Sequence, residues 1–443
     1  MSMMNRLVQR IKHSNFLKDS FWSVFGNGMG NGLLLIGGIL IARILGKDLY
    51  GEYGMVKTTM FYLAAFSTFG LGYTTTKYIA NAIEHDSKEV VPIVNSAIRT
   101  TFIFSLFICI LLFIFADQLA AYINSPKLSM SFRFLGIIMV CKAISTTQTG
   151  ILAGYKSFKA LGINNIISGA ALVISCIPLT YAFSVNGSLL ALTFSQFVLC
   201  LLNGIHLKRM TTMYPDGPHS QLSYTKELLR FSLPVALQEL SYTLCNWGAM
   251  LIITKYSNIG EVGIYSAATQ WSAIILFIPS LLQNVILSYL SGLEDNKDTH
   301  RSMVFKMILI NLVCSAVPFL LILLCSQYII TFYGETFSGL RIVLNTYALG
   351  TIFMCLSNVF QADLLARGYN WVLFFLRVGR DAMIISTLFL IVSRGHIAQT
   401  AFFFAMTNVI IYAIFTTILC IFTIWISYNK NNKQNHDVCQ TIK

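Results

Sequence analysis

The sequence predicts an all-α, polytopic membrane protein of about twelve transmembrane helices, arranged as two pseudo-symmetric six-helix bundles around a central cavity. Three observations predict it. The chain of 443 residues is 56% hydrophobic and 11% charged, with a mean hydropathy of +0.68, so water cannot be the solvent for most of it. Apolar runs recur from end to end at the length of about 20 residues that a helix needs to cross a bilayer, and a run such as TFIFSLFICILLFIFA lacks the alternation of a barrel strand. The stretch 41–59, IARILGKDLYGEYGMVKTT, returns 212 residues later as ITKYSNIGEVGIYSAATQW. Ile41, Arg43, Gly51 and Tyr53 then meet Ile253, Lys255, Gly263 and Tyr265, and Gly154–Tyr155 recurs as Gly368–Tyr369 at a shift of 214. Two nearly equal offsets describe one unit used twice.

Taken in order, the spans fall near 20–43, 56–79, 97–117, 132–154, 162–184, 187–207, 231–254, 263–289, 304–326, 342–364, 371–393 and 399–427. Residues 1–207 form the first six-helix lobe, 208–230 a linker marked by Pro215, Gly217 and Pro218, 231–427 the second lobe, and 428–443 a tail. The linker's end, YTKELLRF, reads as a short interfacial helix. Pro178, Pro279 and Pro318 are expected to kink spans 5, 8 and 9. An even number of spans in each lobe makes the two copies parallel, with the substrate expected between them.

The net charge of +13 reflects topology rather than nucleic acid. With the N-terminus inside, twenty of the 31 Lys and Arg fall in cytoplasmic segments, seven in outer segments and four within spans. This bias places both termini in the cytoplasm. The seven His lie in loops, segment ends or tails and form no metal set, most of the ten Cys lie in apolar segments as small hydrophobes, and no cofactor motif is present. Residues 1–19 carry four Lys or Arg without an apolar signal core, so the first span is expected to act as its own targeting signal.

Four charged positions within spans are cationic: Lys57 on span 2, Lys142 on span 4, and Arg377 and Arg380 on span 11. Two are acidic: Glu239 on span 7 and Asp381 on span 11. An ionisable residue inside the bilayer marks function by default, and this set leaves a basic interior. Lys57, near a span end, either snorkels to the interface or serves the cavity; Lys142 is mid-span. Arg377 and Asp381 stand at i and i+4 as a pair, either self-neutralising or part of a site, while Arg380 has no obvious local acid. Glu239 heads a stripe with Tyr242 and Asn246, readable as an ion-coupling carboxylate or as a contact between helices. In FGNGMGNGLLLIGG, with no strand before it, the glycines are no nucleotide loop; Gly28 and Gly32, with Asn27 and Asn31, are expected to let helices approach.

ARILGKDLYGEYG after the first span, LAGY after the fourth, twelve spans and the six-plus-six repeat together resemble the polysaccharide-exporter branch of the multidrug/oligosaccharidyl-lipid/polysaccharide (MOP) flippase superfamily, most closely the O-antigen flippases of Wzx type. The resemblance implies a bacterial inner-membrane flippase moving an undecaprenyl-diphosphate-linked oligosaccharide outward by alternating access, driven by H+ or Na+, working beside glycan polymerase and chain-length proteins. In that picture Lys142, Arg377, Arg380 and Lys57 meet the diphosphate or an acidic sugar. Asn27, Asn31, Tyr242 and Asn246 meet sugar hydroxyls, and Glu239 and Asp381 carry the coupling ion. The alternative is an ion-coupled multidrug exporter using those acids. A membrane enzyme is disfavoured, because the outer loops are short and gather no acid, base or nucleophile.

Overall fold

The computed structural model describes residues 3–85, 87–122, 129–215, 221–279, 297–367, 369–393 and 399–441; the side chains of 3–21 and 427–441, and of isolated positions such as Glu239, fall outside that description. The described chain is helical, with no strand. Its helices are α1 Met3–Thr68, α2 Leu71–His85, α3 Val90–Tyr122, α4 Ser129–Gly154, α5 Phe158–Thr211, α6 Gln221–Tyr256, α7 Ile259–Ile275, α8 Lys297–Tyr333, α9 Leu340–Ala366, α10 Asn370–Ser393 and α11 Thr400–Thr441. A helix satisfies its backbone internally, which hydrocarbon demands. Among the described residues seven stretches are long and apolar enough to cross a membrane, and two of them, Val24–Thr68 and Phe158–Thr211, run to 45 and 54 residues.

Each of those long stretches contains a break. In α1 it is Gly46, at φ 70, a left-handed position that glycine occupies without steric penalty. In α5 it is Ser184, at φ 53, where the expected boundary between spans 5 and 6 lies. The two arms of α5 return antiparallel: Thr180 pairs with Ser188 at 3.0 Å, Ser168 with Ser195 at 3.0 Å, and Asn164 with Asn203 at 2.9 Å.

Three expectations need correction. The second span is not continuous: Phe69 (φ 47) and Gly70 (φ 69) separate α1 from α2. The Ser67 and Thr68 hydroxyls bond back to the Ala64 and Ala65 carbonyls, and the Phe69 ring lies 4.5 Å from Phe104 and 5.3 Å from Phe66, so packing holds the turn in place. The segment YTKELLRF is no separate helix, being the first part of α6. Pro178 and Pro318 sit inside α5 and α8 without a non-helical residue at either. By contrast α7 ends at Ile275, four residues before Pro279, where the proline ring would meet the carbonyl. Finally, Gly32 faces open space, and Gly26 and Gly30 make the close approach instead: a methyl group on them would stand 2.2 Å from the Gly162 Cα and 2.8 Å from the Asn165 Cβ.

The chain divides into two compact units, Met1–Ser266 with Phe332–Phe337, and Ala267–Thr331 with Ser338–Lys443. In the first, α1 packs mainly along α5, and α4 against α2, α3 and α5. A core of Leu71, Ile79, Val90, Ile151, Leu161 and Leu228 is buried. It is closed by Tyr155 of LAGY, whose ring stacks on Tyr214 at 5.6 Å and whose hydroxyl meets Thr211. In the second unit α9 packs along α11, and α10 joins through a core of Phe360, Leu364, Leu373, Phe415, Leu419 and Ile426.

The repeated stretch forms a reciprocal contact inside the first unit. A methyl group on Gly51 would lie 1.9 Å from the Ile259 carbonyl oxygen, and one on Gly263 would lie 2.1 Å from the Lys47 carbonyl oxygen. Position 259 is position 47 moved by 212, and 263 is 51 moved by 212. Gly54 extends the pattern, because its methyl would meet the Oγ of Ser266 at 2.4 Å, again at that offset. The two copies of the stretch meet each other about a local twofold, and only glycine permits the approach of the two backbones.

Candidate functional site

In the first unit the second arm of α1 carries Tyr53, Lys57 and Phe61 at steps of four, on one helix face. The Lys57 Nζ lies over the Tyr53 ring, 5.7 Å from its centroid, and α4 brings the Lys142 Nζ over Phe61 at 5.0 Å. Both lysines are half-buried, and among the described residues neither has an acid within ion-pairing distance. An aromatic face holds an ammonium group by about 0.5 to 2 kcal/mol, which leaves its positive charge uncancelled. On the same arm Thr59 accepts a hydrogen bond from the Trp247 indole of α6 at 3.1 Å. Two expected site cations thus lie along one face of α1, each over its own aromatic ring.

Asn27, Asn31, Tyr242 and Asn246 are placed differently. Asn27 faces α5 and accepts from the Asn165 amide at 2.5 Å, while Asn31 is exposed. Asn246 donates its amide to the Tyr242 carbonyl of its own helix at 2.8 Å. Glu239 is on α6, and its side chain lies outside the described set.

In the second unit the geometry of α10 corrects the expected pairing. Asp381 is held by its neighbour Arg380, at 2.8 Å from Nε and 2.6 Å from Nη2, rather than across the i to i+4 step from Arg377. The Arg380 guanidinium is sequestered further: its Cζ lies 4.7 Å from the Tyr412 ring centroid and 5.0 Å from that of Phe415. Arg380 and Asp381 are 6% and 3% exposed, so this is a fully buried charge pair on an aromatic seat. Arg377 instead donates its Nε–H to Gln361 Oε1 at 2.5 Å. The Gln361 amide is in turn tied to Ser357 at 3.1 Å, which fixes the plane of the guanidinium.

Three residues escaped the sequence reading. Asp363, fully buried on α9, binds Arg367 at 2.9 Å; its place at the margin of span 10 hides it among the loop charges. Gln361 carries no charge and gives no sequence signal. His206, a segment-end residue by sequence, adjoins a buried polar chain through Asn164 and Asn203. Hydrogen-bonding residues repeated at helical spacing on both arms of α5 were the available signal for that chain. Among the described residues no group of His, Cys, Asp and Glu could hold a metal ion.

Comparison with known proteins gives a consistent picture. A candidate O-antigen transporter of Shigella flexneri is 21% identical over 353 residues, covering 78% of this chain and 83% of its own. The succinoglycan biosynthesis transport protein ExoT of Rhizobium meliloti is 24% identical over 254 residues, covering 57% of this chain and 49% of its own. Among solved structures, an inward-facing multidrug resistance MATE transporter of the MOP superfamily superposes with a TM-score of 0.76 at 15% identity, covering 89% of this chain and 94% of that one. A MOP superfamily transporter from Pyrococcus furiosus, reported with a binding pocket of reversed polarity, superposes at 0.66 with 16% identity, covering 92% and 95%. These likenesses show the fold, an all-α multi-pass membrane architecture. A family model described as polysaccharide biosynthesis protein matches residues 16–293, and the chain belongs to that family.

Proposed function

We propose that this protein is a flippase, which moves an undecaprenyl-diphosphate-linked oligosaccharide, such as an O-antigen repeat unit, from the cytoplasmic to the periplasmic leaflet by alternating access. Both termini then lie in the cytoplasm, with glycan polymerase and chain-length proteins acting on the product. The observation that carries this reading is an imbalance of charge compensation. The buried carboxylates among the described side chains, Asp363 and Asp381, are each paired to an arginine, whereas Lys57 and Lys142 rest on aromatic rings and have, among the described residues, no acid within ion-pairing distance. A membrane site of this kind attracts an anion. A diphosphate brings charge for the lysines, and aromatic rings suit the apolar faces of sugars. The named roles of the Shigella and Rhizobium relatives, O-antigen and succinoglycan transport, support the same substrate class.

An exporter of cationic drugs needs the opposite balance, with uncompensated acids. Drug-resistance assays in cells lacking their own pumps separate the two, because the flippase confers none. An H+ or Na+ gradient supplies the driving force in this proposal, through Glu239 and Asp381; loading an ion on Asp381 releases the Arg380 guanidinium from its partner. Transport that ignores both gradients in proteoliposomes removes the coupling but not the flippase. The cellular test is deletion of the chain followed by leaflet-resolved analysis of lipid-linked sugars. The flippase reading requires them to accumulate on the inner leaflet, and an unchanged outer-leaflet pool contradicts it.

A further inference from the structure

The arm of α1 that carries Lys57 is interrupted at both ends. Gly46, at φ 70, breaks the helix before it, and Phe69 and Gly70, at φ 47 and 69, break it after Thr68. The helical ladder therefore does not carry the rotation of residues 47–68 over from either neighbour. That rotation matters to the two lysines in different ways. Tyr53 and Lys57 ride on the arm together, but Lys142 reaches the Phe61 ring from α4, at 5.0 Å, so a turn of the arm takes the ring from under the ammonium group. With side chains about 6 Å from the helix axis, a rotation of about 20° moves them by about 2 Å. The close approaches at Gly51 and Gly54 hold the outer part of the arm, and Thr59 lies further in.

Trp247 of α6 meets the arm there. Its indole N–H, a donor with no acceptor capacity, ends on the Thr59 Oγ1 at 3.1 Å, and the same hydroxyl donates to the Met55 carbonyl at 2.8 Å. The bond to Met55 fixes the hydroxyl rotor and leaves a lone pair for the indole. Thr59 is buried, so water does not stand in for the contact. At about 100° per residue, Lys57 and Phe61 each lie about 160° round the helix from Thr59, one on either hand. Helix α6 thus holds the arm from behind the face that meets α4. We propose that Trp247 is a positioning residue for the two-lysine site: through Thr59 it sets the rotation of the arm, which keeps Phe61 beneath Lys142 and Lys57 on the same face. The use of that site for a diphosphate lipid rests on the flippase reading; the positioning does not.

The test is nuclear magnetic resonance of the full chain in nanodiscs, with lysine labelled at the ε-carbon. The face of the Phe61 ring displaces the Lys142 ε-protons to high field, and that signal is assigned by its loss in Lys142→Arg and its return to an ordinary position in Phe61→Leu. Trp247→Phe removes the N–H and keeps a ring, while Thr59→Val removes the hydroxyl and keeps the shape. Each is expected to lose most of the Lys142 displacement, the two together no more than either alone, and Thr59→Ser, which retains the hydroxyl, to keep it. A Lys142 signal at its wild-type position in both single variants overturns the proposal, as does a double variant that falls well beyond either, since the two groups make one bond. In proteoliposomes the half-saturating concentration of a prenyl-diphosphate-linked oligosaccharide is expected to rise about fivefold in Trp247→Phe, the scale of one hydrogen bond. In the Lys57→Ala, Lys142→Ala background the same substitution is expected to change nothing further; a further rise there marks a role outside the site and overturns the proposal. A wild-type chain that shows the displaced Lys142 signal but flips no such lipid overturns the flippase reading and leaves the positioning standing.

Discussion

Arg380 shows how the meaning of a buried charge depends on its immediate company. By its place on span 11 it could clamp an anion; in the structure its fork is spent on Asp381 and its face on Tyr412 and Phe415. Removing one partner of a buried pair strands the other, at about 3 to 5 kcal/mol, whereas removing both can be nearly neutral. Arg380→Ala is therefore expected to lower the thermal unfolding midpoint in detergent sharply, and Arg380→Ala with Asp381→Ala to recover most of the loss. A double variant no more stable than the single one contradicts the pairing. The sequence made all four in-span cations legible, because charge in an apolar run is conspicuous. It could not show their partners, since i to i+1 and i to i+4 contacts compete, and the winner is set by Tyr412 and Phe415 from another helix. Nor could it show Gln361, whose contribution is one carbonyl oxygen aimed at Arg377.

At the level of elements, the glycines divide into those that carry a contact and those that do not. Gly51 and Gly263 sit where a methyl group would fall at 1.9 and 2.1 Å from backbone oxygens, and backbone cannot yield as a side-chain tip can. Gly51→Ala and Gly263→Ala are each expected to destabilise by roughly 1 to 3 kcal/mol, as overpacking does, while Gly32→Ala, with nothing within 4 Å, leaves stability unchanged. Thermal unfolding of the three variants side by side checks this, and a stable Gly51→Ala sinks the reciprocal contact. Gly70, at φ 69, tests the broken second span: alanine there is expected to cost about 1 to 2 kcal/mol. Equal stability for Gly70→Ala argues that the segment is ordinary helix. The repeat offset was readable from identities alone and located this contact, because both copies need glycine for one reason. The break at Phe69 was not readable, since an apolar run looks the same whether or not the helix turns within it, and the anchoring ring of Phe104 is distant in sequence.

For the whole molecule, the account rests on a basic membrane protein in which, among the described residues, the buried acids are paired and the in-span lysines are not. Composition alone gave the class, because only a bilayer tolerates such apolar content. The family model gives the family, and the lysine environment is what the proposed anionic cargo rests on. The most direct measurement is flipping of a prenyl-diphosphate-linked oligosaccharide by the purified chain in proteoliposomes, comparing wild type with Lys57→Ala, Lys142→Ala together and with Lys57→Arg, Lys142→Arg together. A charge-assisted contact contributes about 1.5 to 3 kcal/mol, so the alanine pair is predicted to lose at least about tenfold in rate, a factor that corresponds to roughly 1.4 kcal/mol, while the arginine pair keeps most of it. A well-folded alanine pair that flips the lipid at the wild-type rate contradicts the account.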